Sequence, residues 1–318
     1  MSTIKDVAKV AGCSISTVSY ALNNDKRIPD ITAGRIKKIA SEIGYFPSAA
    51  ARNLKKRNTD TVLVAISDFG GPVYHELLDG IHYQLAKNGY TMIVSTGVSS
   101  DNLLKERSAD GAIITDIHIS DETLTQLAKN FRPIIVLDRS LKDTNIYNMT
   151  IDNHAAMFEL TKDIISKGYK HIAFVHGVKD TYDNSTRFSG FLEAIQKANL
   201  KLVKEYYGNF TKPSGVIIAH EILKATEQID MLVCANDEMA IGIIETLQQN
   251  GKEIPKDYGI CGFDDIELSS YISPKLTSIK INHFEWGKAV AKTLVHLLKD
   301  EDVITKKEKG ILKIRESY

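Results

Sequence analysis

Three cysteines in 318 residues are too few for a disulfide framework, and their number is odd. Cys13, Cys234 and Cys261 stand apart with no CxxC pair, so neither a structural zinc nor an oxidising compartment is expected; a reducing cytoplasm is. No apolar run approaches the roughly 20 residues that cross a bilayer. Ser2 to Asp6 is polar, so no signal peptide and no membrane partner are expected. Low-complexity segments and internal repeats are missing too. There is no Walker motif, and Gly70-Gly71-Pro72 is not a G-x-G-x-x-G loop. The nine histidines show no metal-ligand spacing. Asp264-Asp265 is the nearest approach to a catalytic carboxylate pair, but adjacent side chains diverge and no partner carboxylate is identifiable at a working separation. The expectation is a protein without metal or cofactor, and not an enzyme.

Net charge is also lacking, but the zero hides an asymmetry. Residues 1–60 hold eleven Lys/Arg and five Asp/Glu, and the remainder holds 29 and 35. A basic head precedes an acidic body, and the head is where phosphates would be met.

The head has internal order. Ile4, Val7, Ala8 and Ala11 make one apolar stripe at helical spacing. Gly12 suits the left-handed end of a helix, and Ser14 is a good N-cap for the next. In that second helix Val18, Ala21 and Leu22 share a face, while Ile15, Ser16, Ser19, Tyr20 and Asn23 lie opposite, free to enter a major groove. Ile36, Ile39, Ala40 and Ile43 give a third helix that ends at Gly44. Three short helices with a tight glycine turn between the first two predict a helix-turn-helix domain whose partner is duplex DNA. The bland alternative is a solvated three-helix bundle with a basic surface.

From Thr61 the pattern alternates. Strands are expected at Thr61–Ser67, Thr91–Ser95, Gly111–Thr115, Pro133–Leu137, His171–Val175, Val203–Tyr207, Met231–Cys234 and Gly259–Gly262. Helical spacing separates them, as in Tyr74 to Leu85, His154–Lys167, Phe188 to Ile195, Pro213–Ala225 and Asp237–Asn250. This order implies an α/β body with parallel sheets covered on both faces, in two lobes divided near Ile151. Ligands of such sheets sit outside the carboxyl ends of the strands. The groups there are Ser67-Asp68-Phe69, Thr115-Asp116, Asp138-Arg139, His176-Gly177, Asn236-Asp237 and Asp264-Asp265. Short polar groups facing each other across two lobes suit a polyhydroxylated ligand, with an aromatic ring over its apolar face. Asp237 and Asp265 read better as helix caps than as ligands.

The chain resembles the lactose-repressor (LacI/GalR) family of bacterial transcription factors over essentially its full length. Ile4-Lys5-Asp6-Val7-Ala8, Ser16 to Asn23, Ile43-Gly44-Tyr45-Phe46-Pro47 and Ala51-Arg52-Asn53-Leu54 carry the resemblance in the head. Asp110 to Ile114, Arg187 to Phe191, Ala235 to Ala240, Gly262 to Asp265 and Leu276 to Ile279 carry it in the body. The resemblance implies a helix-turn-helix domain at 1–46, a hinge helix and linker at 47–60, and a periplasmic-binding-protein-like effector and dimerisation domain at 61–318. Its first lobe would comprise about 61–150 plus 281–300, and its second about 151–280 plus 301–318.

The resemblance further implies a homodimer that represses sugar-utilisation genes by binding a palindromic operator, released or recruited by a sugar or sugar phosphate between the lobes. Ile15, Ser16 and Tyr20 would read bases. Thr3, Thr17, Ser19 and Asn23 would meet the DNA around them, Thr17, Ser19 and Asn23 at phosphates. Ser48, Ala51 and Leu54 would act in the hinge, Leu54 as a wedge in the minor groove. Arg187, Asn236 and Asp264 match effector positions in the second lobe, with Phe210 as a stacking aromatic; Asp68, Thr115 and Asp138 match positions in the first. The segment Thr96–Asp110 is shorter than the family norm, Asp68-Phe69-Gly70-Gly71-Pro72 departs from the usual loop, and Tyr318 ends the chain without a leucine heptad tail, which argues against tetramers. A transport solute-binding protein, a global regulator using a phosphorylated carrier protein, and a purine effector are the competing readings.

Overall fold

The computed structural model describes residues 2–46, 58–106, 108–129 and 133–318. The chain divides into two compact units, Met1–Thr59 and Asp60–Tyr318.

The first unit holds α1 (Ile4–Ala11), α2 (Ile15–Leu22) and α3 (Asp30–Glu42). Thr3 opens α1 with a capping box: its hydroxyl accepts from the Asp6 amide while the Asp6 carboxylate accepts from the Thr3 amide. Gly12 closes α1 at φ 63°, the left-handed region that a side chain would resist. Ser14 then caps α2 by accepting from the Thr17 amide at 3.1 Å. Val7, Ala8, Ala11, Val18, Ala21, Ile36 and Ala40 form the small core.

The second unit contains two sheets. The first has order β2-β1-β3-β4-β5, from β1 (Thr61–Ile66), β2 (Thr91–Thr96), β3 (Gly111–Thr115), β4 (Ile134–Val136) and β5 (Ile146–Asn148), all parallel. The second has order β11-β10-β9-β8-β6-β7, from β6 (Ile172–His176), β7 (Lys204–Tyr207), β8 (Met231–Cys234), β9 (Gly259–Asp264), β10 (Thr277–Lys280) and β11 (Ile311–Lys313). Its strands are parallel except the edge strand β11, which runs antiparallel to β10. Fully buried runs such as Val62–Ile66 and Met231–Cys234 are apolar throughout, as strands covered on both faces must be.

Helices supply the cover: α4 (Pro72–Lys87), α5 (Gly97–Lys105), α6 (Asp121–Ala128), α7 (Asn153–Ser166), α8 (Tyr182–Lys197), α9 (Lys212–Lys224), α10 (Asp237–Gln249) and α11 (His283–Leu297). The shortened 96–110 stretch thus still contains a nine-residue helix, α5. Helix α11 follows a second-sheet strand but packs on α4 and on the first sheet, where Leu294 and Leu298 lie against Gly111. A methyl at Gly80 would lie 2.1 Å from the Phe284 carbonyl oxygen, and one at Gly287 would lie 2.3 Å from that of Leu77. The two backbones therefore touch through glycine.

The chain crosses between the lobes three times, near residues 149–152, 281–282 and 298–310. The first and third crossings are tied together: the Asp152 amide donates to the Glu308 carbonyl at 2.7 Å, and the Glu308 amide donates to that of Thr150 at 3.0 Å.

Candidate functional site

In the first unit, α2 presents one polar face. Ile15 is 45% exposed although apolar, and Ser16 and Asn23 are exposed beside it. Ser19 and Tyr20 are half-buried. The Arg27 guanidinium stacks 3.9 Å above the Tyr20 ring and pairs with Asp25 at 2.6 Å, which fixes the ring. Thr17 is occupied within the head, its hydroxyl 2.9 Å from that of Ser14, and Asn23 bonds back to the Ser19 carbonyl. Thr3 serves the cap described above. Ser48, Ala51 and Leu54, assigned to the hinge from sequence, lie outside the described residues.

In the second unit a cavity of about 360 Å³ opens between the two sheets. Asp68, Thr115, Asp138, Arg187, Phe210, Asn236 and Asp264 all line it. Strand ends deliver most of them: Asp68 follows β1, Thr115 ends β3, Asp138 follows β4, Asn236 follows β8 and Asp264 ends β9. Arg187 comes from the second turn of α8.

Their hydrogen bonds modify the sequence reading. Arg187 is 4% exposed and largely committed: Nε donates to Asn153 at 3.0 Å, Nη1 to the Ala235 carbonyl at 2.6 Å, and Nη2 reaches Asp264 at 3.5 Å. Its guanidinium lies 3.8 Å over the Phe263 ring. Asn236 caps α10 through Oδ1, which accepts from the Met239 amide, while its Nδ2 donates to the Phe210 carbonyl at 2.7 Å. Its amide thus holds Phe210, whose backbone sits at φ 69°. Asp138 accepts from Arg139 through both oxygens, at 3.1 and 2.8 Å. Burial still pushes its carboxyl above the usual range, against the pull of Arg139. Asp68 is exposed and turns its carboxylate to the Gly70 amide at 2.7 Å.

The capping roles of the two flanking aspartates are corrected. Asn236, not Asp237, is the N-cap of α10. Asp237 is fully buried and accepts from Ser278 Oγ at 2.6 Å, Ser269 Oγ at 2.7 Å and the Ile266 amide at 2.9 Å. Burial pushes its carboxyl up to about 8. It locks the loop after β9 in place. Asp265 caps nothing and pairs with Arg315 at 2.6 Å.

The cavity also contains residues that the sequence reading passed over. Tyr74 and Trp286 add aromatic wall; Asp183 and Glu238 add carboxylates; His283 adds an imidazole. The Asn153 Nδ2 donates to Asp183 at 2.7 Å. His283 Nε2 lies 3.8 Å from Asp264, too long for a hydrogen bond, and burial holds its pKa below the ordinary value. His283 and Trp286 both come from α11, and the strand-end rule would have reached His283 had β10 been read as a strand.

A helix-turn-helix head and a two-lobed body with a polar, aromatic-edged cleft narrow the family, and likeness to known proteins names it. Residues 3–48 match the model for bacterial regulatory proteins of the lacI family, and residues 161–318 match a periplasmic binding protein-like domain. The HTH-type transcriptional repressor PurR of Aliivibrio fischeri (strain MJ11) is 33% identical over 316 residues, covering 95% of this chain and 93% of that protein. This chain belongs to the lacI family. Catabolite control protein A of Priestia megaterium is 31% identical to this lacI-family chain over 314 residues, 95% of this chain and 94% of that one. A crystal structure of a sugar-binding transcriptional regulator of the LacI family from Enterococcus faecalis superposes with a TM-score of 0.77 at 30% identity, covering 83% of this chain and 99% of that one. The lacI-family protein is accordingly a DNA-binding transcriptional regulator. No helix among its described residues is long and apolar enough to cross a membrane.

Proposed function

We propose that this regulator is a homodimeric repressor of sugar-utilisation genes, acting in the cytoplasm. A sugar or sugar phosphate bound between its lobes changes its affinity for operator DNA. The observation that carries this reading is the cavity itself. Seven side chains chosen from sequence for effector contact, from both lobes, line one space of about 360 Å³. That volume lies in the range of small-ligand sites. The walls combine carboxylates, which accept from hydroxyl groups, with the Phe210 ring, which can cover an apolar sugar face. A ligand touching both lobes binds one closure angle better than another and so shifts the equilibrium between them. In the head, Ile15, Ser16 and Tyr20 would face base edges, and Thr3, Thr17, Ser19 and Asn23 would meet the backbone around them.

The test is operator binding by fluorescence anisotropy with and without sugars identified by thermal shift. A several-fold to hundred-fold change in operator affinity is expected, about 1–3 kcal/mol of coupling. Arg187→Ala and Asp264→Ala should each lose the response while still binding operator. A full response in both variants would move the signal out of the cleft. Exchanging Ile15 and Ser16 should alter which operator is preferred and leave nonspecific affinity nearly unchanged; an unaltered preference would remove those two residues from the groove.

A further inference from the structure

We propose that the effector of this cleft is a hydroxylated amine of the amino-sugar class, held by its ammonium group between carboxylates of the two lobes, and that sugar phosphates are excluded. The proposal rests on the cleft being the effector site, and it specifies the charge of what enters.

Five carboxylates line the cavity: Asp68, Asp138, Asp183, Glu238 and Asp264. Arg187 is the one Lys or Arg among the described lining residues, and its guanidinium is taken up by Asn153, the Ala235 carbonyl and Asp264. Arg139, just outside, is consumed by Asp138, Asp121 and the carbonyls of Ile119 and Asp116. Lys179 stands on the outer rim with Asp180, not on the cavity wall. A phosphate entering here would meet excess negative charge and a single guanidinium already largely engaged by Asn153, the Ala235 carbonyl and Asp264, whereas phosphate sites use charge-assisted donors.

The negative charge is also arranged across the cleft. Asp68 and Asp138 follow strands of the first sheet; Asp183 and Glu238 open helices of the second lobe. Glu238 reaches the opposite loop, where a methyl on Gly71 would lie 3.6 Å from its Oε1. Burial raises the carboxyls of Asp183 and Glu238; Arg187 pulls Asp183 back down, Asp264 of the same lobe raises both, and carboxylates of the facing lobe add a smaller push, Asp138 on Asp183 and Asp68 on Glu238. Closure alone presses like charges together. A cation placed between them would reverse that repulsion, so it would favour the closed arrangement selectively.

A second observation, independent of the carboxylates, points to the rest of the ligand. His283 and Trp286 line the same cavity at 4% and 5% exposure, and neither imidazole nitrogen nor the indole Nε1 has a hydrogen-bond partner among the described residues. Buried polar atoms of this kind are costly unless satisfied. The indole N–H needs an acceptor, and a neutral imidazole needs one donor and one acceptor. Hydroxyl groups supply both roles. The complement of this wall is an oxygen-rich ring with an ammonium group toward the carboxylates.

The experiment is isothermal titration calorimetry on the full-length protein near neutral pH. The probes are glucosamine, galactosamine and mannosamine, each with its parent hexose, its N-acetyl derivative and the hexose 6-phosphate. At least one amine should bind about tenfold or more tighter than both its parent and its uncharged N-acetyl form, and its affinity should fall as salt rises while the parent's does not. Asp183→Asn and Glu238→Gln, which keep shape and remove charge, should shrink the ratio of amine to parent affinity. If neither variant folds, the salt dependence decides. Equal affinity for amine and parent overturns the proposal. Tighter binding of a 6-phosphate overturns it while leaving the cleft as the effector site. Binding by no probe, with operator affinity unaltered by all of them, overturns both.

Discussion

At the scale of single residues, two positions constrain the cleft without touching its opening. Gly177 follows β6, and a methyl there would lie 2.1 Å from the Phe210 ring. The ring is flanked by Arg187 and its carbonyl is held by Asn236, so it has little room to retreat. Gly177→Ala is expected to displace Phe210, to cost about 1–3 kcal/mol of stability, and to weaken ligand binding more than it weakens folding. Thermal melts beside calorimetry separate the two effects. Asp237 offers a pH test. Its carboxyl is pushed up from 3.8 to about 8, so the folded chain keeps a proton there that the unfolded chain has lost. Its contribution is greatest below the unfolded pKa and declines as pH rises through the folded one. Asp237→Asn should therefore flatten the fall in melting temperature between about pH 4 and about pH 8. An unchanged slope would mean that another group carries the proton.

At the scale of elements, the helix pair α4 and α11 is a sensitive joint. Gly80 and Gly287 let the two backbones meet, and either methyl would strike a carbonyl oxygen that has no rotamer to change. Gly287→Ala is expected to separate the helices and destabilise the body by about 1–3 kcal/mol or more. It should also lower effector affinity, since His283 and Trp286 ride on the same helix. Chemical denaturation and calorimetry would detect both; wild-type values in both would show that the helices can part freely. α4 is legible because its apolar residues keep one helical period, and β8 because it is an unbroken apolar run between polar ends. β10 is not, because Thr277 and Ser278 are buried in the core yet polar. Ser278 gives its hydroxyl to Asp237 and Thr277 accepts the Arg315 amide, so the strand is satisfied without looking apolar. β5 and β11 are three residues each, too short to show alternation. Missing β10 hid His283. A strand end and an N-cap look alike in sequence, so what Asn236 does besides lining the cavity is not legible there: it caps α10 and holds Phe210.

At the scale of the whole molecule, the head and the body are separate compact units, and charge is divided between them. The body is built from two sheets, but neither lobe is one stretch of chain. The first sheet is complete at Asn148, yet the helix that covers α4 and Gly111 spans His283–Leu297. The second sheet gains its last edge only at Ile311–Lys313. The three crossings between lobes therefore have a consequence for synthesis. As the chain leaves the ribosome, the first lobe must wait with an uncovered apolar face while well over a hundred further residues are translated. A chain stopped after residue 281 is expected to leave both lobes unfinished and to be recovered as aggregate or degraded material, measurable by pulse-chase and soluble yield; a stable soluble product would show that the first lobe folds without its late helix. A premature stop anywhere ahead of His283 would thus disable the earlier-made lobe as well as the later one.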